Sequence, residues 1–106
     1  GAGIIASQLE WTAADRTSDT VIAMEEDYRA AAAELQQRVE TRRAVLGPTV
    51  SGVIERNVRI ADEAIAEITL ALESDPADPH LTRMLWSVYD HKLDLLRRAA
   101  AVATET

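Results

Sequence analysis

The chain has no cysteine and no phenylalanine, and only two tryptophans, two tyrosines, three prolines and four glycines among 106 residues. Without cysteine, this segment holds no disulfide and no thiolate metal ligand. So few aromatic residues leave little for a β core, whereas plentiful Ala, Leu, Glu and Arg favour helices. Positive charge is also in short supply, with 11 Lys and Arg against 18 Asp and Glu, for a net charge of −7. Nucleic-acid partners are not expected, because phosphates require a concentrated basic surface. The basic clusters, Arg42-Arg43 and Arg97-Arg98, fall near expected helix C-termini, where positive charge complements the helix dipole. No apolar run reaches the roughly 20 residues needed to span a bilayer. Nucleophile elbows and phosphate loops are missing too, and no Ser-His-Asp set stands out. The expectation is a non-catalytic protein with no cofactor.

What is present reads as one all-α domain of three long helices, with residues 1–16 set apart from 17–106. Long helices need more partner surface than a short chain supplies, so self-association into a homo-oligomer is expected. The first helix is expected over 17–46. Thr17, Ser18 and Asp19 offer N-caps, and Val21, Met24, Tyr28, Ala31, Leu35 and Val45 recur near helical spacing. Gly47-Pro48 then closes it, glycine suiting the position after a helix and proline the first turn of the next. The second helix is expected over 48–74, with an inward seam of Val50, Ile54, Asn57, Ala61, Ala64, Ile68 and Ala71.

Asp75-Pro76-Ala77-Asp78-Pro79 is the strongest punctuation. Pro76 disfavours a helical Asp75, Asp78 is a good N-cap, and Pro79 has no amide proton to leave unpaired. So short a turn predicts an antiparallel hairpin, with a third helix over 79–104. Its inward residues should be Leu81, Met84, Leu85, Val88, Tyr89, Leu95, Leu96, Ala99 and Val102. Reflection through the turn sets Leu72 near Leu81 or Met84, Ile68 near Trp86 or Leu85, and Ile65 near Tyr89. It also sets His91 and Lys92 opposite Glu63.

Few polar residues stand out as candidate sites. Glu63, Glu67 and His91 form a facing group of the kind that binds metal in bundles, but the repeated Glu-x-x-His of such sites is lacking. A surface ion-pair cluster is the plainer reading, and no metal is expected. His80 and His91 stand about 16 Å apart along one helix and cannot share an ion. Asn57, on the seam, is a candidate register or oligomerisation residue, since buried asparagine must find hydrogen-bond partners. Trp86 and Tyr89 are expected to pack the hairpin rather than cage a ligand.

The run from Leu46 to Ala101 supports a comparison with known families. Its pattern is Leu46-x-Pro48-Thr49, Ile54-Glu55-x-Asn57, Ala64-Ile65-x-Glu67, Ala71-Leu72-x-x-Asp75-Pro76, Leu81, Leu85 and Lys92-Leu93-x-Leu95-Leu96, with Tyr28-Arg29-Ala30-Ala31 upstream. It resembles the extracytoplasmic helical segment of zinc-finger-type membrane-bound anti-sigma factors. The resemblance implies a parent whose cytoplasmic zinc-binding domain, absent here, holds a sigma factor. A membrane helix and then this segment, on the outer face of the bacterial inner membrane, would follow. The small, apolar Gly1 to Ala6 and then Trp11 fit the exit of that helix, or else a frayed terminus. Ala-x-x-Ala-Leu-x-x-Asp-Pro is also similar to tetratricopeptide repeats, though no second copy follows at their period. The alternative is therefore a cytosolic helical adaptor or coiled-coil assembly module.

Overall fold

In the computed structural model of the chain, three helices follow one another: α1 (Ala2–Thr41), α2 (Arg43–Ser74) and α3 (Pro79–Glu105). The structure describes the backbone of residues 2–105 and the side chains of residues 21–102. The side chains of Ile4, Ile5, Trp11 and the N-cap candidates Thr17, Ser18 and Asp19 lie outside the described residues. No helix is long and apolar enough to cross a membrane among the described residues. The chain divides into two units, Gly1–Ala30 and Ala31–Thr106. The first consists of helix, with Arg29 and Glu25 paired one turn apart.

The all-α class holds, but helix ends differ from expectation on the N-terminal side. α1 begins at Ala2, upstream of Thr17, and no proline lies between to stop it. It ends at Thr41, earlier than Leu46. Thr41 Oγ1 donates to the Arg38 carbonyl at 2.9 Å, a local bond that competes with the helical ladder. One further turn follows, in which the Leu46 amide donates to the Arg42 carbonyl at 3.2 Å. Gly47 then takes φ 81°, ψ 165° and breaks the helix, and Pro48 opens the long stretch to Ser74. That left-handed φ is why a glycine stands here.

The expected hairpin is present: α2 packs against α3. The Asp75 amide donates to the Ala71 carbonyl at 3.1 Å and closes α2. Asp78 then caps α3, its Oδ1 accepting from the amides of His80 at 2.8 Å and Leu81 at 3.3 Å. Farther from the turn, Lys92 Nζ meets Asp62 Oδ1 at 2.6 Å. The two residues are equidistant from Ala77, which is the register that reflection through the turn predicts.

The core of the second unit runs along this register. Ile54, Ala61 and Ile68 of α2 are buried, as are Leu85, Tyr89, Leu93, Leu96 and Ala99 of α3. Ala32 of α1 is buried too, and Val39 packs on the cluster of Leu46, Ile54 and Ala99. Leu96, at 1% exposure, is the most enclosed large side chain. Three expected core residues turn out to be exposed: Val50, Met84 and Val102. On α2 the buried face passes through Ser51, Ile54, Ala61 and Ile68, a quarter turn from the row of Val50. On α3 the buried face passes through Leu85, Tyr89, Lys92, Leu93, Leu96 and Ala99, and Met84 and Val102 fall to one side of it.

Candidate interaction site

The second unit carries a groove of about 520 Å³ between the end of α1 and α2. Its apolar lining comes from Val39, Ile54, Val58, Ala66 and Leu96. These residues line it because α2 is apolar over more than the face α3 covers. Acidic side chains edge the groove at Glu40, Glu55, Asp62 and Glu63, against the single cation Arg59. Most of that acidity is already engaged. Arg43 bridges Glu40 and Glu55, and Lys92 holds Asp62. Glu63 and Arg59 have no ion-pair partner among the described residues. An apolar trough with a partly neutralised acidic edge can accept another helix or an apolar ligand.

A second groove, of about 510 Å³, is basic, and sequence spacing gave no sign of it. It brings Arg38 and Arg42 of the α1 end beside Arg97 of α3, with Leu35 and Ala100 between. The two sequence clusters therefore split. Arg43 and Arg98 go into ion pairs, with Glu55 and Asp94, while Arg42 and Arg97 share this surface. The signal that would have revealed it is the antiparallel return of α3 along α2, which brings Arg97 and Ala100 back to the residues around Arg42, a tertiary fact.

The sequence candidates fall in separate places. Asn57 sits at the edge of the buried face rather than on it, half-exposed, with Nδ2 donating to the Val53 carbonyl at 3.0 Å. Trp86 and Tyr89 meet edge to face at 5.1 Å and 81°, with Tyr89 buried and Trp86 half-buried. That geometry packs two rings of one helix against each other and leaves no cage between them. Glu63, Glu67 and His91 are all exposed. No group of three metal-ligating side chains converges among the described residues. No family model, curated protein or solved structure matches this chain.

Proposed function

We propose that the chain is a non-catalytic helical interaction domain, the extracytoplasmic sensory segment of an anti-sigma-factor-like transcription regulator anchored in the bacterial inner membrane. The observation that carries the reading is the capped turn from Asp75 to Pro79, because it anchors the Leu46 to Leu96 pattern on which the resemblance rests. The proposed activity is recognition. The groove lined by Val39, Ile54, Val58 and Leu96 offers an apolar surface to another helix. Its neighbouring carboxylates at Glu55 and Asp62 are held in ion pairs with Arg43 and Lys92. Contact with a sigma factor would belong to a cytoplasmic zinc-binding domain elsewhere in the parent, and the membrane would be reached through the parent's transmembrane helix.

The sequence encoded upstream of Gly1 in the parent gene tests this directly. A hydrophobic span preceded by a Cys/His zinc motif is expected, and finding neither overturns the reading. A pull-down with a sigma factor gives a second check, since this segment alone should retain none. The competing reading, a cytosolic helical adaptor or assembly module, draws on the same groove and would be favoured by an upstream sequence without a membrane span.

A further inference from the structure

α2 carries a second apolar row outside the groove and beside the face that α3 covers, which it meets at Val50, close to Leu95 and Ala99 of α3. Val50, Val53, Asn57, Ile60 and Ala64 follow one another at steps of three, four, three and four. That is the spacing of a two-helix seam. Val50 and Val53 are each 45% exposed and Ile60 is 57% exposed, well above ordinary core residues. In heptad terms Val50, Asn57 and Ala64 take a, and Val53 and Ile60 take d. The e positions, Ile54, Ala61 and Ile68, are buried within the chain. The g positions on the other flank, Arg56 and Glu63, are exposed, and neither has an ion-pair partner among the described residues.

We infer that a second copy of this chain covers the row, with the two α2 helices antiparallel about a two-fold axis. A two-fold contact is self-complementary: if one residue meets another, the reverse pair forms as well. With Asn57 opposite Ile60 of the second copy, Val53 lies opposite its Ala64, and Arg56 opposite its Glu63. Symmetry makes two such ion pairs. Leu70, 66% exposed, lies along the same g flank and folds over Thr49 of the second copy. One register thus covers Val53 and Ile60 in the seam and Leu70 on its flank, while Val50 meets the aliphatic stem of Glu67 of the second copy at the end of the seam. The two Asn57 side chains come within about one turn of each other across the axis, giving each amide a polar neighbour beyond its own Val53 carbonyl.

Charge selects this arrangement over its neighbours. A slip of one heptad sets Arg56 against Arg56, or Glu63 against Glu63. Parallel helices would bring each g position to an e position of the other copy. Those are Ile54, Ala61 and Ile68, so neither Arg56 nor Glu63 would gain an opposite charge. Only the antiparallel register turns both unpaired charges into pairs.

The inference deepens the interaction-domain reading by naming the partner as a second copy, and its test is independent of the parent gene. Sedimentation of the full chain at increasing concentration should show a monomer–dimer equilibrium. Glu63→Arg turns two attractive contacts into two repulsive ones and should weaken dimerisation about tenfold or more. Arg56→Glu should do the same. The double variant R56E/E63R should regain the dimer, and mixing the two single variants should give a heterodimer, since all four charges then match. Circular dichroism checks that each variant stays helical, as exposed positions allow. A wild-type chain that stays monomeric, or a dimer indifferent to Glu63→Arg, overturns the proposal. So does a double variant that fails to dimerise. A monomer leaves the regulator reading standing, whereas an upstream sequence without a span or zinc motif leaves the dimer standing.

Discussion

Lys92 takes its ammonium to a place where the side chain is 9% exposed, and Asp62, half exposed, meets it at 2.6 Å. The two ends of such a pair respond differently to removal. Loss of the carboxylate takes a short charged contact away from a largely desolvated cation, whereas loss of the cation leaves a carboxylate that water can reach. Asp62→Asn should therefore lower stability by about 1–3 kcal/mol in urea unfolding, and Lys92→Met, which keeps the stem's packing, by clearly less. Equal losses would count against this account. Ser51 is the opposite case. Its hydroxyl is enclosed and has no hydrogen-bond partner among the described residues. A helical serine ordinarily donates to the carbonyl four residues back, but that residue is Gly47, whose ψ of 165° leaves helical geometry. Ser51→Ala removes a stranded polar group and improves helix propensity, so the melting temperature should rise, by the equivalent of about 1 kcal/mol. A lower melting temperature would mean that the hydroxyl has a partner in solution.

Among the elements, the α2–α3 hairpin was the most legible in sequence, because its signals are local. Asp78 and Pro79 specify the start of α3 within one turn, and the cap bonds to His80 and Leu81 are what that pair of residues predicts. Asp78→Ala should cost about 1 kcal/mol, seen as an earlier melt of the hairpin, while Asp78→Asn should keep most of it. The same logic failed wherever the deciding partner is distant. Spacing alone put Val50, Asn57 and Ala64 on the inward seam, since they repeat at helical intervals as faithfully as Ile54, Ala61 and Ile68 do. α2 has two apolar rows a quarter turn apart, and only the position of α3 says which is buried. Lys92 and Leu93 were overlooked for a related reason. A lysine reads as surface until a carboxylate on the facing helix is known to meet it. The end of α1 was misjudged because Gly47-Pro48 is the louder stop, while the earlier break uses the quieter hydroxyl of Thr41. Of the candidate site residues, Tyr89 is buried against Trp86, and Asn57 lies at the edge of the core rather than in it.

For the molecule as a whole, the leftover apolar row on α2 decides what stability means. A chain this small buries a modest share of its surface, and Val50, Val53, Ile60 and Leu70 remain exposed on one helix. If a second copy covers them, the folded state binds itself and the unfolded state does not. Folding and association are then linked, and the melting temperature depends on protein concentration. A hundredfold increase above the dissociation constant adds about 2.7 kcal/mol per dimer, or roughly half that for each chain. For a domain near 100 residues this corresponds to a rise of roughly 5 °C or more. Calorimetric scans across that range should show the shift for the wild-type chain and for R56E/E63R. Glu63→Arg should shift by about half as much or less over the same range, because a tenfold weaker association adds only about 1.4 kcal/mol per dimer at its upper end. A wild-type melt that does not move with concentration would place the whole stability of the fold within one chain, and the row on α2 would then stabilise nothing.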